Sequence, residues 1–154
     1  MIKVYQTIND EDNANCMQAA IASLFNEKLD NVPNFISFGD KWWWIFKRYI
    51  KYKGYNINKI ALSNTSYYGK NISKEYLFDR LKSLEGINDL FYATVSSPKF
   101  NPNGDLDGHT HAVIIDKYFN IIHDPKIEYN NIIYPRSNEG YNGIRQILIF
   151  DKII

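Results

Sequence analysis

Cys16, His111 and the tripeptide His123-Asp124-Pro125 carry the residue types from which nucleophilic acyl transfer can be built. Cys16 is the only cysteine of the chain and opens the alanine-rich run ANCMQAAIASLF, residues 14–25. A cysteine attacks as thiolate, and a helix N-terminus next to an imidazolium lowers its pKa from about 8.5 to as low as roughly 3–4. His111 opens the apolar run HAVII, and Asp124 closes the next one. Imidazole can take the thiol proton and return it to a leaving group, while a carboxylate on its other nitrogen fixes the tautomer. If the two runs pair as a tight hairpin turning at Asn120, His111 and Asp124 become cross-strand neighbours about 4.5–5.5 Å apart at Cβ.

Other assignments compete for these residues. A lone cysteine is more often a small, inert core residue, and His-Asp-Pro can be a plain turn. The acidic run Asp10-Glu11-Asp12 works against a low thiol pKa unless its carboxylates face solvent. His109 shares a strand face with His111 if the strand already runs through both. Together with Cys16, His123 and Asp124, the two could ligate a metal, but one thiol and a His-x-His pair make a weak zinc signature. No metal and no cofactor is expected.

These side chains need elements to hold them. Lys3–Ile8 alternates and predicts a short strand. The helix that follows, capped by Asn13 or Asn15, carries Met17, Ile21, Leu24 and Phe25 as an apolar stripe. Cys16, Ala19, Ala20 and Ser23 form an adjoining stripe of small residues, which lets another backbone approach and implies burial on more than one side. A second helix is predicted from a cap at Asp40 to a stop at Gly54. A third runs from Ser73 to about Gly86 and buries Tyr76, Leu77, Leu81 and Leu84. Strands are predicted at Tyr55–Leu62, Leu90–Val95, His111–Ile115, Asn120–Ile122 and Gln146–Phe150. Helices first and strands after give an α+β fold, a helical half on a C-terminal antiparallel sheet.

The blocks Val4-Tyr5-Gln6-Thr7, Asn15–Leu24, Val32-Pro33-Asn34-Phe35, His111-Ala112-Val113 and His123-Asp124-Pro125 together resemble small bacterial and phage proteins of papain-like fold. These are similar to papain-like and bacteriocin-leader cysteine peptidases. Only residues from about Phe38 to Asp89 find no counterpart. The resemblance implies Cys16 as nucleophile, His111 as general base and acid, and Asp124 as its orienter. It also implies Gln6 and the Cys16 backbone N–H as oxyanion donors. Gln6 lies ten residues before Cys16, farther than the family's usual gap, so the intervening loop has to bulge. His111 matches the family block and is preferred over His109.

The segment PKFNPNGDLDGH, residues 98–109, reads as a loop that could wall or cover a cleft. In KWWWIFKRYIKYK, residues 41–53, basic and aromatic residues interleave, as in proteins that stack single strands. On a helical wheel Trp42, Ile45, Phe46 and Tyr49 instead form a core stripe. Trp44 alone falls on the basic edge and is a candidate for a substrate or partner surface; His109, at the end of the 98–109 loop, is a second candidate for a substrate surface.

The chain's 154 residues suit a single domain. A 45% hydrophobic and 16% aromatic content supports a true core, and the net charge of +1 does not point to nucleic acid or a membrane surface. Neither a signal-peptide pattern nor a run of about 20 apolar residues is present, and a lone cysteine forms no internal disulfide. The expectation is a soluble, cytoplasmic cysteine hydrolase acting on a peptide or protein. The other readings are an amidase or acyltransferase with the same triad, a non-catalytic binding protein on this scaffold, and a single-strand binder. Nothing in the sequence sets the oligomeric state.

Overall fold

The computed structural model describes residues 1–9, 14–61, 74–96, 110–130 and 143–154. Three helices, α1 (Cys16–Leu24), α2 (Trp42–Tyr52) and α3 (Lys74–Ser83), accompany five strands. These are β1 (Tyr55–Ala61), β2 (Phe91–Ser96), β3 (Thr110–Ile115), β4 (Ile121–His123) and β5 (Ile144–Lys152). They form one sheet of order β1-β5-β2-β3-β4, with every pairing antiparallel. The fold is α+β.

Alternation along the strands divides the core. Tyr92, Ala112, Ile114, Leu148 and Phe150 pack under α1 and α2 with Ile21, Leu24, Phe46 and Ile50. Their neighbours Phe91, Ala93, Val113, Ile115, Ile147 and Ile149 face the other way and pack with Leu81 of α3. A strand buried on both faces needs no polar side, which is why these segments read as largely apolar runs.

The small residues of α1 do what their size permits. Ala19, Ala20 and Ala22 are fully enclosed, and Ser23 with them. The helix leaves through Asn26 at φ +55°, with the Glu27 N–H reaching the Ala22 carbonyl at 2.8 Å, a left-handed exit that satisfies last-turn carbonyls. In α2, Phe46 sits edge-on to Phe35 with ring centres 5.1 Å apart, while Trp42, Trp43, Ile45 and Tyr49 pack at the margin of the same core. Gly54, at φ +96°, ends it.

Three local expectations change. Lys3–Ile8 belongs to no strand and bends at Thr7, and is strapped down by side chains. Val4 N–H donates to Ser23 Oγ at 2.9 Å and Ile2 N–H to Asn26 Oδ1 at 2.9 Å. Asn15 precedes α1 without capping it, since its carboxamide serves the strap instead. Asp40 does not cap α2 either: it lies within a 3-10 stretch, Phe35–Lys41, that runs into the helix. The acidic run Asp10-Glu11-Asp12, Asn13, Leu62, Ser73, residues 98–109 including His109, and the side chains of Tyr76 and Leu77 lie outside the described residues.

Candidate active site

α1 delivers the thiol. Cys16 is its first residue and is half-buried. Its sulfur accepts the N–H groups of Met17, in the first turn, and of Ala112, in β3. N–H groups in a helix's first turn have no acceptor within the helix, so a negative sulfur supplies what they lack.

β3 delivers the imidazole. His111 is buried, and its Nε2 lies 2.6 Å from Asp124 Oδ1. With Nε2 taken, Nδ1 is the nitrogen left for the Cys16 sulfur, to which the imidazole also hydrogen-bonds. Asp124 is itself buried, and the same Oδ1 accepts the Lys126 N–H at 2.9 Å. That turn after β4 holds the carboxylate in place.

The expected cross-strand pairing is corrected in its register. Ile114 opposes His123, and the ladder shifts between Ile114 and Ile115. Extending that register by one residue sets Asp124 beside Val113. His111, two residues away on the same face, is therefore the diagonal neighbour, at a typical separation of about 7–8 Å that a histidine side chain can span. The triad residues meet through this diagonal.

The charges follow from the contacts. Burial disfavours a charged His111, but the Cys16 thiolate and the Asp124 carboxylate outweigh it and raise the imidazolium to about 9. Burial likewise works against the thiolate, while the imidazolium and the two N–H groups overcome it and hold Cys16 below its ordinary value. Each group's charge favours the other's, so the contacts bias the pair toward thiolate and imidazolium, and the two titrate as a unit. Tyr92, buried under α1, has its phenol pushed well up by burial and by the sulfur's charge, so it stays neutral.

Several neighbours carry no signal in residue spacing. Tyr129, in the 3-10 turn Ile127–Tyr129, sets its ring edge against His111 with centres 5.4 Å apart. Its own face lies under Lys126 Nζ at 4.4 Å. His123 serves the N-terminal segment: its Nε2 donates to the Val4 carbonyl at 2.7 Å, and its ring stands edge-on to Tyr5. Burial depresses its pKa, so it is neutral. It anchors the N-terminal strap.

Gln6 is brought to the neighbourhood by its backbone, whose N–H donates to the Pro125 carbonyl at 2.9 Å, one residue past Asp124. Its side-chain Nε2 donates to Asn9 Oδ1 at 2.7 Å and to the Ile8 carbonyl at 3.3 Å. Its Oε1 is buried with no partner among the described residues. Trp44 is 55% exposed on α2, with the Arg48 guanidinium 4.7 Å above its ring. Among the described residues, no group of three or more His, Cys, Asp or Glu side chains is placed to hold a metal ion, and no helix is long and apolar enough to cross a membrane. The chain matches no protein-family model, no curated protein and no solved structure.

Proposed function

We propose that this chain is a cysteine hydrolase of papain-like fold, cleaving a peptide or isopeptide bond through Cys16, His111 and Asp124. The observation that carries the reading is the buried His111–Asp124 contact of 2.6 Å together with an imidazolium raised to about 9 beside a thiol held low. A structural cysteine in an apolar core is inert and has its pKa raised by its surroundings. Here the shift runs the other way.

The thiolate attacks the carbonyl carbon, forming an S–C bond and moving an electron pair onto oxygen. The Cys16 N–H, at the helix start, and the Gln6 carboxamide receive that oxyanion. Gln6 first exchanges its bonds to Ile8 and Asn9 for the substrate oxygen. Imidazolium His111 protonates the leaving amine as the C–N bond breaks, and Asp124 keeps Nδ1 aimed at the reacting atoms. Neutral His111 then takes a proton from water, whose oxygen attacks the thioester. Collapse releases the acid and restores the ion pair. An amidase or acyltransferase would use the same steps with a different acceptor. A cytoplasmic setting belongs to the same reading, since the single thiol is committed to chemistry.

The test is a diverse peptide library incubated with the wild type and with Cys16→Ala, read by mass spectrometry. Cleavage by the wild type alone supports the proposal. An intact library, with no acylation of Cys16 by an activated ester, refutes it and leaves a binding protein on this scaffold.

A further inference from the structure

We infer that Asn15 is a positioning residue: its buried carboxamide clamps the segment bearing Gln6 to the start of α1 and so sets the oxyanion donor beside Cys16. The inference rests on the hydrolase reading and adds to it the group that assembles the site. Asn15 is 2% exposed, and its Oδ1 accepts two backbone N–H groups, from Thr7 and from Ile8, each at 2.9 Å. Its Nδ2 donates to Thr7 Oγ1 at 3.1 Å and to Gln18 Oε1 at 3.2 Å.

Gln18 fixes which way the carboxamide faces. Its own Nε2 donates to the carbonyls of Leu29 at 3.0 Å and Val32 at 2.8 Å, which leaves its Oε1 as the acceptor turned to Asn15. A flipped Asn15 would set nitrogen against two N–H groups and oxygen against oxygen. One orientation is therefore enforced, and it is the one that grips the strap.

The strap needs this grip because no strand holds it. Between Gln6 and Cys16 the chain departs at Ile8 and returns at Asn15, whose N–H meets the Ile8 carbonyl at 3.3 Å. The clamp closes that excursion at its neck, where closure would otherwise cost loop entropy. Gln6 is then caught between two anchors, Pro125 on one side and Asn15 on the other. These are the chain neighbours of Asp124 and of Cys16. A residue serving only the helix would cap it, and the Asn15 side chain makes no cap bond.

Two reagents separate positioning from thiol activation. p-Nitrophenyl acetate acylates Cys16 through an oxyanion, forming the thioester and expelling p-nitrophenolate. Iodoacetamide alkylates the thiolate by direct displacement of iodide, with no oxyanion. Asn15→Ala is expected to lower acylation by about 10- to 100-fold, less than the roughly 10²- to 10³-fold of an oxyanion donor removed outright because Gln6 is displaced and not deleted, while alkylation at the same pH stays close to wild type. Asn15→Asp keeps both acceptor bonds to Thr7 and Ile8, and its acylation-to-alkylation ratio is expected to stay near wild type. An unchanged ratio in Asn15→Ala, or equal losses in both variants, overturns the inference. Should Asn15→Ala fail to fold, Asn15→Ser, whose shorter side chain cannot reach both the Thr7 and Ile8 N–H groups, takes its place: a lowered ratio supports the clamp and an unchanged ratio refutes it. A wild type that is not acylated at all removes the hydrolase reading itself, a distinct result.

Discussion

Replacing Asp124 with alanine should cost the fold and the site together, by an amount that depends on pH. The carboxylate accepts from His111 Nε2 at 2.6 Å and from the Lys126 N–H at 2.9 Å, and both Asp124 and His111 are buried. Breaking a buried pair from one side costs about 3–5 kcal/mol, here because His111 is left with the Cys16 sulfur alone to offset its charge. For a chain of this size, that corresponds to roughly 6–20 °C in Tm. A histidine whose folded pKa is raised stabilises the fold below its unfolded value of about 6.5, and that contribution is lost as pH rises through about 9. The Asp124→Ala penalty should therefore be largest near pH 6 and shrink above about 9, where His111 is neutral in both proteins and only the hydrogen bonds differ. Asp124→Asn keeps the shape and one acceptor and should cost less, about 1–2 kcal/mol. Urea unfolding followed by tryptophan fluorescence, with wild type and variant paired at each pH, reads these differences. An Asp124→Ala variant as stable as wild type near pH 6, or a penalty that does not change with pH, would refute the reasoning.

Gln6→Ala should leave alkylation of Cys16 intact while slowing acylation by an activated ester about 10²- to 10³-fold, measured by release of p-nitrophenolate; equal effects on both reactions would remove Gln6 from the oxyanion site. Ala20→Leu should destabilise the fold by about 1–3 kcal/mol in urea titration, since Ala20 is fully enclosed and a larger side chain must displace its neighbours. Ser23→Ala leaves the Val4 N–H without its 2.9 Å acceptor. It should speed hydrogen exchange at Val4, and unaltered exchange there would mean that the strap is held elsewhere.

What the sequence made legible was chemistry and periodicity. The runs at 90–95, 111–115 and 146–150 read as strands because residues buried on both faces are mostly apolar, and the antiparallel sheet bears this out. The small-residue stripe behind Cys16 foretold a helix enclosed on more than one side, and Ala19, Ala20 and Ser23 are so enclosed. Register was not legible. The shift between Ile114 and Ile115 depends on how the turn at Asp116–Asn120 closes, with Phe119 at φ +67°, and a phenylalanine gives no sign of that conformation. The strap at 3–8 alternated like a strand, yet a strand exists only with a partner, and its bonds go to Ser23, Asn15 and His123. Asn13 or Asn15 reads as a cap because an asparagine side chain before a helix can accept its free first-turn N–H groups, but Asn15 makes no such bond. Its actual partners lie seven and eight residues upstream, where no local rule reaches.

The central claim is an ion pair between Cys16 and His111, and the rate of Cys16 alkylation by iodoacetamide across pH tests it most directly. In wild type the rate should rise at a pH below that of an ordinary thiol of about 8.5 and change again as the imidazolium is lost near 9. In His111→Ala the early rise should vanish. Below the thiol's pKa, each tenfold gain in thiolate is offset about threefold by lower nucleophilicity, so the net advantage near pH 6 is about threefold per pKa unit. Superimposable wild-type and His111→Ala profiles, both rising once with an ordinary thiol, would contradict the account.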